Sequence, residues 1–267
     1  MKSDTGPPKA RQYIENLASS GRYHFDSSEA RTALGVSSPA ANAALHRLAK
    51  QGVIASPAFG FYVIVPPEYR SLGCLPADQF IPALMKKKGL PYYAGLLTAA
   101  QYHGAAHQRP QEFQVVLELS RRPIVCGAVR VAFIRRARAA MVPVQGINTP
   151  RGALLVSTPE ATALDLVGYE SRVGGLGQVT TVLSDLAERI DAQKLADAAH
   201  TAPLPWAQRL GYLLEQVGAA ERTAPLKAYV QEHATQWTAL TPAAPRTQAA
   251  RNNDWKLHVN AEVETEL

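Results

Sequence analysis

Helix-length amphipathic stretches and short β-branched runs alternate along the first seventy residues. Apolar residues recur three and four positions apart over 10–17 and again over 41–48, which predicts two amphipathic helices. Between them, the acidic and hydroxyl side chains of 26–29 supply N-cap oxygens for a short helix that Gly35 ends. Pro39 then favours the start of the next helix. The pattern therefore predicts three helices, with a tight turn between the second and the third.

A β-hairpin is predicted directly after these helices. The β-rich runs 53–56 and 61–65 flank a turn that contains Pro57 and Gly60. A short helix, a tight turn, a second helix and a hairpin, in that order, are typical of a winged helix-turn-helix. The alternative is a three-helix protein-contact module that carries an ordinary hairpin. We interpret residues 1–70 as a winged helix-turn-helix DNA-binding domain.

The predicted third helix has two different sides. On a helical wheel, Ala41, Ala44, Leu45 and Leu48 form one apolar stripe that must face the core. The other side is small, polar and basic, as a helix that enters the major groove requires. Backbone N–H groups at the start of the helix are a natural seat for a phosphate. The DNA-binding residues predicted here are Ser37, Ser38, Asn42, Ala43, His46, Arg47 and Lys50.

The rest of the chain predicts a larger mixed domain, so the predicted fold class is α+β. Helices are expected over 77–88 and 93–102, and strands over 113–119, 129–134 and 153–157. After residue 159 the pattern is mainly helical. Beyond residue 241 the Pro/Ala/Thr/Asn-rich composition predicts a loosely held tail. The predicted domains are the winged helix-turn-helix of 1–70, an α/β domain with a helical C-terminal part over 71–240, and the tail of 241–267.

Composition favours a cytoplasmic protein without membrane partners. No apolar run approaches the roughly 18 to 20 residues that span a bilayer. The polar stretch 1–9, with two prolines, lacks the apolar centre of a signal peptide. Cys74 and Cys126 have no C-x-x-C partner, which is typical of a reducing compartment.

No catalytic, cofactor or metal site is predicted. His103 and His107 have the spacing of two ligands on one helix face, but Gly104 interrupts the segment and no Cys/His cluster lies nearby. A nucleotidyltransferase would need paired carboxylates for Mg²⁺, and the predicted strands carry almost none. The glycine-rich run 174–177 lacks the lysine and hydroxyl of a P-loop. We therefore expect a protein that is not an enzyme.

Three local strings of the chain stand out in the order in which they occur. They are Leu34-Gly35-Val36-Ser37 with Leu45-His46-Arg47-Leu48 and Gly52-Val53-Ile54; Tyr92-Tyr93-Ala94-Gly95-Leu96-Leu97 leading to His103-Gly104; and Ser157-Thr158-Pro159-Glu160-Ala161-Thr162-Ala163-Leu164-Asp165-Leu166. These strings resemble the AbiEi family of bacterial antitoxins, which belong to type IV toxin–antitoxin systems and regulate transcription. The resemblance covers roughly residues 7 to 235, and the second and third strings are the more specific ones.

The resemblance implies a winged-helix N-terminal domain, a C-terminal antitoxin domain and a cognate nucleotidyltransferase toxin. In such families the antitoxin binds inverted repeats in double-stranded operator DNA and represses its own operon. It antagonises the toxin without needing a stable complex. The competing interpretation is a plain winged-helix repressor whose C-terminal domain senses a ligand or dimerises.

Charge is distributed unevenly along the chain, which carries a net charge of +6. Residues 71–151 hold 11 Lys/Arg and 3 Asp/Glu, whereas residues 152–267 hold 9 and 14. A basic half indicates contact with a polyanion, although a solvated basic surface would look the same. We predict that Arg135, Arg136 and Arg138 form a second DNA-facing surface on phosphates. Alternatively, these arginines pair with acidic residues of the later helices or face the toxin. We interpret Asp165 as a structural residue that pairs with an arginine such as Arg135.

Overall fold

The computed structural model of the chain describes residues 7–105, 110–247 and 249–263. It confirms the predicted mixture of helices and strands, and the predicted helix of 77–88 has the same bounds in the structure. The α-helices of the described residues are α1 (Pro7–Ser19), α2 (Ser27–Leu34), α3 (Ser38–Lys50), α4 (Ala77–Lys88), α5 (Leu96–Tyr102), α6 (Pro159–Gly168), α7 (Leu176–Ala187), α8 (Ala192–Ala199), α9 (Leu204–Gln216) and α10 (Ala224–His233).

The strands include the predicted hairpin and the three strands predicted after residue 110. They are β1 (His24–Asp26), β2 (Ile54–Ala58), β3 (Phe61–Ile64), β4 (Tyr93–Ala94), β5 (Phe113–Leu117), β6 (Ile124–Cys126), β7 (Val129–Arg135), β8 (Val144–Thr149), β9 (Gly152–Ser157), β10 (Thr238–Ala239), β11 (Ala250–Asn252) and β12 (Leu257–Val259).

The fold divides into two units, each built from separate stretches of the chain. The first comprises the described residues of 1–92, 111–135 and 146–154, and the second those of 93–110, 136–145 and 155–267. Whether the predicted domains 1–70, 71–240 and 241–267 fold independently stays a prediction.

In the first unit, α1, α2 and α3 surround a small core. It contains Ile14, Phe25, Ala30 and Leu45, all buried, and the antiparallel sheet β1-β3-β2 closes it on one side. The structure confirms the predicted inner stripe of α3, because Ala41, Ala44, Leu45 and Leu48 are its buried residues. The 3.6-residue helical repeat is therefore sufficient to assign both sides of this helix.

Replacing Leu48 with Ala is expected to lower the free energy of unfolding by about 3 kcal/mol. The change removes buried methyl groups and leaves a cavity that the small core fills only partly. Urea unfolding followed by circular dichroism measures the loss. Ala49→Ser, at an exposed position of the same helix, is the control and should change stability by less than about 0.5 kcal/mol. Unchanged stability of the Leu48 variant would show that this stripe does not face the core.

A second core in the same unit lies between α4 and the strands β5, β6 and β7. Strand β7 lies between β5, to which it is parallel, and β6, to which it is antiparallel. Phe80 and Ile81 of α4 pack with Val115 and Val131 of the strands, and all four side chains are buried. This core fixes the end of α4 and the β5–β6 connection beside the hairpin β2–β3.

The second unit is mainly helical and is organised around α6. Every residue from Glu160 to Val167 is buried, and α6 contacts α5, α7, α8 and α9. A helix buried on every side must satisfy its polar groups internally, and the Glu160 carboxylate accepts from the Asp191 N–H while the Thr162 hydroxyl lies 2.7 Å from that of Ser157. Strand β4 pairs in parallel with β9 at the start of this helical layer.

The chain after residue 240 differs from the loosely held tail that its composition predicts. Among its described residues, β12 pairs with β10 in parallel and with β11 in antiparallel fashion. Trp255 is 0% exposed, and the Gln208 side-chain amide donates to the backbone oxygens of Trp255 and Lys256. A Cβ atom at Gly211 would lie 2.1 Å from the Trp255 ring, so the glycine makes room for the indole. The segment is thus part of the second unit's core.

None of the helices in the described part of the chain has the length and apolar character needed to cross a membrane.

Candidate nucleic-acid interface

The side of α3 that faces away from the core carries the predicted contact residues. Each of them is exposed, and together they extend from the start of the helix to its last turn. The N-cap Ser37 makes no side-chain capping hydrogen bond, so the helix start is uncapped by side chains in the structure. The exposed residues are Ser37, Ser38, Asn42, Ala43, His46, Arg47 and Lys50.

Helix α2 is held by a capping box at its start. The Asp26 carboxylate accepts from the Ser28 and Glu29 N–H groups, and the Glu29 side chain accepts from the Asp26 N–H. Lys87 of α4 also donates to Asp26, and Arg22 lies 2.6 Å from Glu29. Partial burial raises the pKa of the Asp26 carboxyl, but these hydrogen bonds outweigh it and hold the pKa below its ordinary value. The carboxylate therefore stays ionised and anchors α2 beneath α3.

The hairpin β2–β3 ends in a rigid two-residue turn. Ala58 and Phe61 are paired, so Phe59 and Gly60 form the turn, and Gly60 has φ +68°. Glycine adopts this left-handed conformation without a steric cost. The Ser56 hydroxyl donates to the Ala58 and Phe61 oxygens, and the Ser27 N–H donates to the Gly60 oxygen. The tip is thus tied to the start of α2.

A polar cleft of about 370 Å³, here named the α3 cleft, lies where α2, α3 and the hairpin meet. It brings the predicted Ser38 and Asn42 together with residues that the sequence analysis did not predict as DNA contacts. Those residues belong to separate segments, so only tertiary packing places them beside α3. The added lining residues are Ser27, Ser28, Arg31, Ser56, Phe59, Gly60 and Tyr62.

The structure corrects the prediction for Arg136. Its side chain is 2% exposed, and its Nε lies 2.8 Å from the Asp165 Oδ1. The guanidinium also lies over the Trp206 ring, 5.5 Å from the centroid. A buried guanidinium cannot reach a phosphate, so the predicted DNA contact by Arg136 is wrong. The structural role predicted for Asp165 is confirmed, with Arg136 rather than Arg135 as its partner.

Tyr93 completes this buried group, because its hydroxyl donates to the Asp165 Oδ2 at 2.7 Å. Burial raises the pKa of Tyr93, so its hydroxyl remains a donor. Burial also raises the pKa of Asp165, and the Arg136 guanidinium and the Tyr93 hydroxyl act against that rise. The group ties α6 to β4 and to the segment after β7 within the second unit.

Arg135 and Arg138 are exposed, and their predicted contact with DNA stays a prediction. His103 is buried, and its Nε2 lies 2.8 Å from the Ser157 oxygen. Burial lowers the pKa of this histidine, which favours the neutral ring. His107 lies outside the described residues. Within those residues, no group of three or more His, Cys, Asp and Glu side chains could hold a metal ion.

Comparison with known proteins finds one family model that matches the middle of the chain. The model of the AbiEi antitoxin C-terminal domain matches residues 93–216. A search of curated proteins finds no match. Among solved structures, the RV2827C protein from Mycobacterium tuberculosis is 17% identical, with a TM-score of 0.67 over 94% of this chain and 91% of that chain, which shows a shared fold. The match over residues 93–216 supports the AbiEi antitoxin family that the sequence resembles.

Proposed function

We propose that the protein is an antitoxin that binds double-stranded operator DNA through α3 and thereby represses its own operon. We also propose that it antagonises a cognate nucleotidyltransferase toxin. The main support for DNA binding is the exposed polar and basic side of α3. The same chain also matches the AbiEi antitoxin C-terminal domain. The AbiEi antitoxin family implies a toxin partner and is not a family of enzymes.

The arrangement of α2, α3 and the hairpin supports a winged helix-turn-helix. In that motif the second helix enters the major groove and its first residues meet the base edges. Asn42, His46 and Arg47 project from the exposed side of α3. Asparagine suits adenine, and arginine suits guanine, because each can form two hydrogen bonds with its base. We therefore assign base recognition to these three residues.

Phosphate contacts are assigned to residues beside α3. Ser38 at the helix start can present backbone N–H groups, and Arg31 of α2 lines the α3 cleft together with it. Lys50 is exposed in the last turn of α3. Arg135 and Arg138, both exposed, are proposed as additional phosphate contacts. Inverted repeats would be bound by two copies of the chain, because two-fold symmetric sites match paired recognition helices.

Replacing Arg47 with Ala is expected to weaken specific DNA binding by about 1 to 3 kcal/mol and to relax base preference at one position. The wild-type protein first selects its preferred duplex from a pool of random sequences. Affinities for that duplex and for an unselected one are then measured by fluorescence anisotropy. Arg246→Ala removes an exposed arginine of the second unit and should leave both affinities unchanged. An equal loss on both duplexes would reassign Arg47 to a phosphate.

Antagonism of the toxin is tested by growth. Cells that express the nucleotidyltransferase encoded beside this gene should stop growing, and co-expression of the chain should restore growth. The Arg47→Ala variant should restore growth equally well, because α3 lies outside the matched antitoxin domain. DNA binding without any restoration of growth would favour a plain repressor whose C-terminal domain senses a ligand or dimerises.

A further inference from the structure

A second groove borders the hairpin tip within the first unit. This groove, here named the wing-tip groove, has a volume of about 550 Å³. Its walls are the hairpin turn, the last turns of α4 and the connection between β5 and β6. Phe59 lines both the wing-tip groove and the α3 cleft. The two depressions are therefore neighbours that share one side chain.

The wing-tip groove combines apolar walls with a cationic rim. Leu84, Met85 and Phe133 are among its apolar lining residues, and the partly exposed Leu119 adds to them. Lys88, Arg121 and Arg122 supply positive charge. None of the described residues that line the groove carries a carboxylate. The rim therefore attracts an anionic ligand, and the walls accept an apolar or aromatic face.

Phe59 is the most unusual residue of this region, because its side chain is 102% exposed. The hydrogen bonds of Ser56 and Ser27 tie the turn backbone to β3 and to the start of α2, and this backbone geometry presents the ring to solvent. Burial of a phenylalanine side chain stabilises a folded protein, so a fully exposed ring contributes nothing of this kind to folding. A ring fixed in this position is suited to burial against a partner.

We infer that the wing-tip groove binds the same duplex as α3, with Lys88, Arg121 and Arg122 on phosphates and the Phe59 ring pressed into the minor groove. This inference rests on the DNA binding proposed above. A duplex that lies against α3 at the cleft is adjacent to Phe59 and the wing-tip groove, because that side chain borders both depressions. DNA carries one charge about every 1.7 Å along its axis, which matches a rim of three cations without carboxylates.

An apolar side chain inserted at a base step partly unstacks it and bends the duplex toward the major groove. Phe59 is thus the wedge, and the three cations hold the backbone of the bent segment. The basic charge of residues 71–151 acts on DNA here through Lys88, Arg121 and Arg122, which come together only in the folded chain.

The test separates the wedge from the cations. Phe59→Ala should weaken binding to the selected duplex about tenfold to a hundredfold, as expected for loss of one buried phenylalanine. It should also reduce the bend, measured by energy transfer between dyes at the two duplex ends, while the salt dependence stays unchanged. Met141→Ala, which removes another exposed apolar side chain in the second unit, is the control and should alter neither quantity.

The triple variant Lys88→Gln/Arg121→Gln/Arg122→Gln should flatten the plot of log K against log salt by about 0.9 for each lost phosphate contact. A control variant replaces three exposed cations of the second unit and therefore has the same net charge as this triple variant. Its slope of log K against log salt should equal that of the wild type. Thermal melting shows whether every variant is folded. The control substitutions are Arg172→Gln, Lys194→Gln and Arg246→Gln.

Several outcomes would overturn the inference, and they differ from failure of the proposed function. If wild-type protein binds DNA and Arg47→Ala loses base preference, but the Phe59 and triple variants behave like wild type, the groove does not contact DNA. If those variants bind DNA normally yet fail to restore growth in the presence of the toxin, the groove holds an acidic protein segment instead. If the wild-type protein binds no duplex at all, the proposed function and this inference both fail.

Discussion

Asp165→Leu is expected to lower the free energy of unfolding by about 3 to 5 kcal/mol, because it leaves the Arg136 guanidinium charged, buried and without its counter-ion. Arg136 is 2% exposed and Asp165 is fully buried, so neither group can turn to water. The Tyr93 hydroxyl loses its acceptor in the same variant. Urea unfolding followed by far-ultraviolet circular dichroism measures the loss.

A triple variant is the control for this prediction. Tyr93→Phe, Arg136→Met and Asp165→Leu together remove the charge, its partner and the orphaned hydroxyl, so most of the lost stability should return. A triple variant less stable than Asp165→Leu alone would show that the volumes do not fit. Wild-type stability of the single variant would mean that the Arg136 guanidinium reaches solvent.

Trp255→Ala is expected to lower the free energy of unfolding by about 3 to 5 kcal/mol. This large effect is expected even though the residue lies in a segment whose composition is typical of a tail. The indole is completely buried, and the close approach of Gly211 shows how tightly α9 packs on it. Loss of the ring leaves a cavity between α9 and the final strands. Thermal unfolding of the full chain should show a lower Tm.

Trp237→Ala is the matched control, because Trp237 is only half-buried and contacts His258 and Arg251 near the surface. Trp237→Ala should lower the free energy of unfolding clearly less than Trp255→Ala does. Equal losses for the two variants would show that the residues after 240 do not form part of the core. Gly211→Ala offers a second check, since its methyl group would collide with the indole and should also destabilise the chain.

Local patterns were sufficient to determine the two sides of α3. The apolar stripe that contains Leu45 and Leu48 and the exposed side that contains His46 and Arg47 follow from the helical repeat alone. The bounds of α4 and, to within one residue, those of β7 were also predictable, because each element is a continuous segment whose residue types favour one kind of secondary structure. The resemblance to the AbiEi family was recognisable for a similar reason, since each string that carries it is contiguous in sequence.

Only the tertiary structure decided which of three neighbouring arginines in the sequence is buried and which are exposed. Arg136 is buried because Asp165, 29 positions later in the chain, supplies its counter-ion, whereas Arg135 and Arg138 are exposed. The hydrophobic periodicity of a helix or strand gives no information about a contact between residues that far apart in sequence. The burial of Trp255 and the meeting of Phe59 with Arg121 at one groove have the same origin. In each case the outcome depends on which distant segments come into contact, and periodicity carries information only about neighbours within a helix or strand.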